Sequence, residues 1–175
     1  MLLRPATPAD AAAIAALHTD SWQRTYRGVL SDHYLDHQAA AERLADWQAR
    51  LREPAATQRV LLLEDENGSM LGFACVVLDE DPRWGNYLNN LHVRHDQQGL
   101  GLGRRLMQAS AAACAEARAP GLYLGVLHAN VAAQRFYARL GGREAGSEIW
   151  AAPDGSRPPY YRYVWEQMQD LTPAP

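Results

Sequence analysis

This sequence predicts a single-domain, mixed α/β fold, and three observations carry that prediction. Strand-like and helix-like segments follow one another as strand, two helices, three strands, helix, strand, helix and two strands. That order differs from the regular βαβ alternation of a dinucleotide domain. Asn67-Gly68 separates two apolar runs, a hairpin signal that pairs them antiparallel. The 175 residues, 47% hydrophobic and 21% charged, suffice for one proper core and are short for two. No repeat, low-complexity block or linker divides the chain, so residues 1–175 are read as one domain.

The elements follow in order. "LLRPAT" is a short strand, and Thr7-Pro8 supplies an N-cap with proline at the first helical position. "ADAAAIAALHTDSW" then carries Ile14, Leu17, His18, Ser21 and Trp22 at helical spacing. Ser31 to Arg52 reads as one further helix, anchored by Tyr34, Leu35, Leu44, Trp47 and Leu51, and Pro54 stops it. "RVLLLED" and "MLGFACVVLD" form the hairpin, and "YLNNLHV" is a third strand leading into a glycine stretch. "LMQASAAACAEA" is a helix, "GLYLGVL" a buried strand, and "NVAAQRFYARLG" a helix closed by Gly141-Gly142. The end reads as two strands around an Asp154-Gly155 turn, with "TPAP" as a frayed tail.

Composition narrows the function. A net charge of -3 and a pI near 6.0 carry no signature of a nucleic-acid binder. Cys75 and Cys114 sit singly in apolar segments, as reduced buried thiols do, and no Cys/His cluster has zinc spacing, so no metal is expected. The N-terminus lacks the apolar run of a signal peptide and no stretch reaches membrane-spanning length. A cytoplasmic protein without a membrane partner is the expectation, and a homodimer is left open.

"HDQQGLGLGRRLM", from His95 to Met107, is locally expensive, because each glycine weakens a strand or helix by roughly 1 kcal/mol. It departs from a dinucleotide fingerprint, having G-x-G-x-G, and from a Walker loop, having Arg104-Arg105 where lysine and Ser or Thr are needed. A third reading is a pyrophosphate cradle at a helix N-terminus, where backbone N–H groups close on phosphate oxygens and the dipole favours an anion. A glycine-rich turn without a ligand is the alternative. A second constellation weighs on the choice. "NVAAQRFYARLG" places Asn130, Ala133 and Tyr137 on one helix face, beside an apolar stripe of Phe136 and Leu140 read as core.

Taken together, these motifs resemble the GNAT superfamily of acetyl-CoA-dependent N-acyltransferases. Gln98-x-x-Gly101-x-Gly103 is similar to the family's Q/R-x-x-G-x-G/A signature, followed by N-x-x-A-x-x-F-Y-x-x-x-G. The motifs cover Tyr87 to Gly142, and the element order fits over nearly the whole chain. The resemblance implies a central, mostly antiparallel sheet of about seven strands, splayed between strands 4 and 5 and flanked by four helices.

It also implies a site. The pantetheine arm of acetyl-CoA would lie between Leu91–Val93 and Tyr123–Leu127, with the Leu91 and Val93 backbone pairing its amides and His92 between them. The Val93 N–H would polarise the thioester carbonyl, an oxyanion-type role. Backbone groups of Gln98, Gly99, Leu100, Gly101, Leu102, Gly103 and Arg104 would hold the pyrophosphate, and Asn130 would bond the arm. Tyr137 would lie near the sulfur and protonate the departing thiolate, as a neutral phenol can.

One departure concerns the base. Tyr87 stands where many family members carry a glutamate, six residues before Val93, and Asn89 and Asn90 follow. His92 and His128 have the side chain to serve, with strand-end packing the plainer reading of each. By resemblance the first two helices and their link wall the acceptor site, which makes Trp22, Arg24, Tyr26 and Tyr34 acceptor candidates, although Trp22 also reads as core; Tyr87, on its strand, is a further candidate. "DEDP" at Asp79–Pro82 reads as a solvated turn or, alternatively, as a lure for a cationic substrate. The expected function is acetyl transfer to a primary amine of a small molecule or peptide. Acetylation of a protein N-terminus and non-catalytic acyl-CoA binding are the alternatives.

Overall fold

The computed structural model describes residues 1–171, with the side chains at 169 and 170 excepted; the tail expected to fray lies outside them. The chain runs β1 (Leu2–Pro5), a 3-10 turn (Pro8–Asp10), α1 (Ala11–Thr25), α2 (Asp32–His37), α3 (Ala39–Arg52) and β2 (Gln58–Glu64). It continues β3 (Met70–Asp81), β4 (Gly85–Val93), α4 (Leu102–Ala113), β5 (Leu122–Leu127), α5 (Val131–Arg139), β6 (Arg143–Ile149) and β7 (Pro159–Trp165). The strands form one sheet in the order β1-β2-β3-β4-β5-β7-β6, antiparallel except between β4 and β5.

Alternation along β3 explains the two layers. Phe73 and Cys75 turn to one face, where Ile14 and Leu17 of α1 and Trp47 and Leu51 of α3 cover them. Ala74, Val76 and Leu78 turn to the other, under Leu102, Leu106 and Met107 of α4. Being covered on both faces, β3 reads as a continuous apolar run. Each fully buried leucine, such as Leu106 at 0% exposure, contributes about 1.5–3 kcal/mol.

One sequence expectation changes. The segment Ser31–Arg52 is two helices, because the chain turns at Gln38 (φ -120°, ψ -40°). The break has a packing reason: Tyr34 and Leu35 join a cluster with Trp22 and Leu30, whereas Trp47 and Leu51 pack on the sheet. Among the described residues five α-helices therefore flank the sheet. The "DEDP" segment is the largely exposed β3–β4 turn, as its solvated-turn reading expected, and it also braces the fold. Asp79 accepts from the N–H groups of Arg118 and Ala119 at 3.0 and 2.9 Å, and Asp81 from those of Arg83 and Trp84 at 2.7 and 2.9 Å.

The contact between β4 and β5 positions the site. They pair only at Asn86↔Leu122 and Tyr87↔Tyr123, and then diverge. Asn86 is fully buried at that junction, where its amide donates to Ala119 O and Gly121 O at 3.0 and 2.8 Å and its Oδ1 accepts from Asp79 N–H at 3.0 Å. Gly85 lies against Gly121, where a Cβ would stand 2.6 Å from the Gly121 carbonyl oxygen. A register shift in β4 between Asn90 and Leu88 marks a bulge at Asn89.

Candidate active site

The gap between β4 and β5 opens into a cleft of about 1220 Å³. That exceeds the ~300–1,000 Å³ of ordinary small-molecule pockets and leaves room for a long ligand and a second one. Its two halves are chemically distinct.

The first half is the glycine stretch. Gly99 and Gly101 have φ of +81° and +78°, which side chains rarely adopt, and a Cβ on either would meet nothing within 4 Å. They bend the chain around open space. Gly101 is the N-cap of α4, and the Arg105 N–H closes onto its carbonyl at 3.1 Å, leaving the amides of Leu102, Gly103 and Arg104 as free first-turn donors. Gly103 serves packing instead, since a Cβ there would meet Phe136 Cζ at 3.1 Å. Arg104 and, from α5, Arg139 line this end. Such a cradle fits a diphosphate.

Several expected residues find other places. Asn130 is the N-cap of α5, outside its face: Oδ1 accepts from the Ala133 N–H at 3.1 Å, leaving its NH2 as the group to donate. Leu100 is 67% exposed and its side chain lies off the cleft lining, whereas Leu102 is buried beneath the cradle. Phe136, read as core, does pack against the core cluster but is only half-buried and also lines the cleft, while its neighbour Tyr137 is 8% exposed. Burial raises the Tyr137 phenol above its ordinary value, with Tyr26 adding to the shift. Leu91 and Val93 pack toward the α4 side, and their strand lines the gap together with Gln98.

The second half faces α1 and α3. His18, Ser21, Trp22, Arg24 and Tyr26 come from the α1 segment, and Tyr87, Asn90 and His92 from β4. The His92 Nδ1 lies 2.8 Å from Ser21 Oγ, and burial pushes the imidazole down to about 4. His18 is 2% exposed and its Nδ1 accepts from Trp47 Nε1–H at 3.0 Å. Tyr26 is held up to about 12 by burial first and Tyr87 second. Burial also raises Tyr87.

Tyr34 does not belong here. It is 1% exposed, away from the cleft lining, with its hydroxyl donating to Glu42 at 2.7 Å. Nor does His128, which stacks on Tyr161 with centroids 3.7 Å apart and lies 2.9 Å from Ser147 Oγ.

Sequence reading missed Arg43 and Arg50 of α3 and Trp150 of the β6–β7 connection, all of which line this half. The first two share a stripe with Trp47 at i, i+4 and i+7, a signal that was available. Trp150 depends on a long-range contact: its ring meets Trp22 at 5.8 Å, and Asp154 accepts from the Ser31 N–H at 2.7 Å, docking the connection onto the α1–α2 link. Among the described residues no cluster of three or more His, Cys, Asp or Glu is placed to hold a metal, and no helix is long and apolar enough to cross a membrane.

Comparison with known proteins gives the family. The family model described as Acetyltransferase (GNAT) family matches residues 14–142. The chain belongs to the GNAT family. A relative named uncharacterized N-acetyltransferase YuaI, from Bacillus subtilis (strain 168), is 29% identical over 111 residues. That match covers 62% of this chain and 61% of the relative's own length. Among solved structures, a GCN5-related N-acetyltransferase from Rhodopseudomonas palustris superposes with a TM-score of 0.72 at 23% identity, covering 93% of each chain. A point mutant of the spermidine N-acetyltransferase SpeG from Vibrio cholerae gives 0.69 at 16% identity, covering 98% of this chain and 97% of its own. This GNAT chain thus has the family's sheet, splayed between β4 and β5 as the resemblance implied.

Proposed function

We propose that this protein is an acetyl-CoA-dependent N-acetyltransferase that acts on the primary amine of a small molecule or peptide by direct attack. The observation that carries the reading is the divergence of β4 from β5 beyond Tyr87, with the glycine cradle at one end of the gap and Tyr137 lining it. Acetyl-CoA supplies an activated acetyl thioester.

The chain's own groups then have separate tasks. Amides from Gln98 to Arg104, with the Arg104 and Arg139 side chains, bind the diphosphate. The backbone of Leu91 and Val93 holds the arm along the open edge of β4, the Val93 N–H being the fixed donor to the carbonyl oxygen. The Asn130 NH2, left over from capping, donates to the same arm. Tyr137 Oη carries a proton at neutral pH and gives it to the leaving sulfur.

No carboxylate replaces the strand glutamate at Tyr87. His92 is neutral at pH 7, and the aromatic, desolvated wall around it favours the neutral form of an amine, which is the nucleophile. Trp150, Ala151 and Pro153 of the β6–β7 connection line the cleft, and the Ser31–Asp154 contact holds that connection on the α1–α2 link, which supports a small acceptor over a long peptide groove. Two unpaired buried thiols, Cys75 and Cys114, suit the reducing cytoplasm.

The test is acetyl-CoA-dependent release of free thiol across a panel of amines, beside calorimetric acetyl-CoA binding. Release that requires both acetyl-CoA and an amine is the expected result. Tight binding with no amine-dependent release would make the chain a non-catalytic acyl-CoA binder.

A further inference from the structure

The acceptor half has an unusual charge arrangement. Among the described residues the carboxylates lining the cleft are Asp20 and Asp46. Asp20 is engaged by Arg24 at 2.9 Å and Asp46 by Arg43 at 2.9 Å. Arg50 lines the same wall, half-buried, and makes no salt bridge with a described carboxylate; its guanidinium carbon lies 5.2 Å from the Trp47 ring centroid. The balance in this half is therefore one uncompensated positive charge, in a cleft whose lining also includes the aromatic cluster of Trp22, Tyr26 and Trp150.

A second observation concerns hydrogen bonding. Among the described residues four buried side-chain polar atoms lack a partner, and three of them, His18 Nε2, Arg43 Nε and Asn90 Oδ1, belong to residues lining this cleft. Unsatisfied buried donors and acceptors cost about 1–3 kcal/mol each and are rare. Their concentration here marks a wall whose polarity the chain does not satisfy by itself. A polycationic amine finds no free carboxylate on such a wall; an acidic group finds the Arg50 guanidinium, which no described carboxylate engages.

On the reading of the site given above, we propose that the acceptor is an amine that carries a carboxylate, an amino acid in chemical class, with the carboxylate at Arg50 and an apolar side chain against Trp22, Tyr26 and Trp150. A guanidinium binds a carboxylate through paired N–H donors, whereas an ammonium is repelled by it.

The experiment compares kcat/KM for phenylalanine, phenylalaninamide, phenethylamine and spermidine, using wild-type protein, Arg50→Gln and Arg50→Lys. Phenylalaninamide has the less basic amine, so amine basicity works against the expected result. Wild type is expected to prefer phenylalanine over its amide and over phenethylamine by at least about 10-fold, the scale of a charged hydrogen bond. Arg50→Gln is expected to erase that preference through KM, Arg50→Lys to keep part of it, and both to bind acetyl-CoA as wild type does. A wild-type preference for spermidine or for the uncharged amines overturns the carboxylate assignment while leaving the acetyltransferase reading intact. A preference for phenylalanine that survives in Arg50→Gln moves the recognition away from Arg50 and also overturns it. Absence of turnover with every amine, despite acetyl-CoA binding, overturns both.

Discussion

His18 and His92 lie with their ring centroids 4.6 Å apart on the acceptor side of the cleft, and neither carries a charge at neutral pH. Burial moves His92 from 6.5 down to about 4, and moves His18 further below the imidazole range, with His92, Arg43 and Arg50 adding to the effect. The unfolded chain takes up these protons as pH falls through about 6.5, while the folded chain resists until about 4. The stability from keeping them neutral is complete above the first value and lost on approach to the second. The melting temperature is expected to fall by about 10 °C between pH 7 and pH 5, each histidine contributing about half. His92→Gln should remove about half of that fall, His18 supplying the rest; the same fall in the variant would remove His92 from the acid response.

Tyr137 shares the buried space between α5 and β7 with Tyr163 and Trp165, at centroid distances of 6.3 and 6.0 Å. Tyr137→Phe keeps that packing and removes the proton. Turnover should fall by about 100-fold with acetyl-CoA affinity nearly unchanged. Wild-type kcat in the variant, measured with an accepted amine, would leave the phenol a packing group.

Gly101→Val places a β-branched side chain at φ +78°, at a cost of about 1–2 kcal/mol in stability. Nothing within 4 Å obstructs the new Cβ, so the domain should still fold. The added side chain enters the open space assigned to phosphate, and acetyl-CoA affinity should drop by about 10-fold or more. Unchanged calorimetric affinity in a folded variant would clear the cradle of phosphate.

Trp22 and Tyr26 touch, with ring centroids 5.6 Å apart, yet they answer differently to truncation. Trp22 is 7% exposed with the Arg43 guanidinium carbon 4.7 Å from its ring centroid, so Trp22→Ala should cost about 3–5 kcal/mol of stability. Tyr26 is half-buried at the cleft wall. Tyr26→Ala should raise the acceptor KM while sparing acetyl-CoA affinity. A collapse of stability with no change in KM would place Tyr26 in the core.

Local signals carried much of this structure. The hairpin after Leu63, the glycine cradle and the capped α5 were legible because turns and caps are written in adjacent residues. The break at Gln38 was not, since the apolar spacing runs on through it and two distant clusters decide the bend. Asn130 was misread as a face residue because an N-cap and the first position of a helix look alike in sequence. Tyr34 failed as an acceptor candidate because Glu42, eight residues on, satisfies its hydroxyl inside the core. Trp150 entered the site only through tertiary packing of the β6–β7 connection, which periodicity cannot show.

The short pairing of β4 with β5 has a mechanical consequence. With only Asn86↔Leu122 and Tyr87↔Tyr123 in register, β1–β4 and β5–β7 are two plates clasped at one corner. A ligand whose amides bridge the gap acts as a guest strand, so loading the site and stiffening the sheet are one event. Deuterium exchange should already be slow at Asn86, whose N–H donates to the Gly121 carbonyl at 3.0 Å. Acetyl-CoA should then slow Leu91, Val93 and the facing amides of β5 in step. Slowing on β4 alone would mean that the guest leans on one plate and leaves the clasp open.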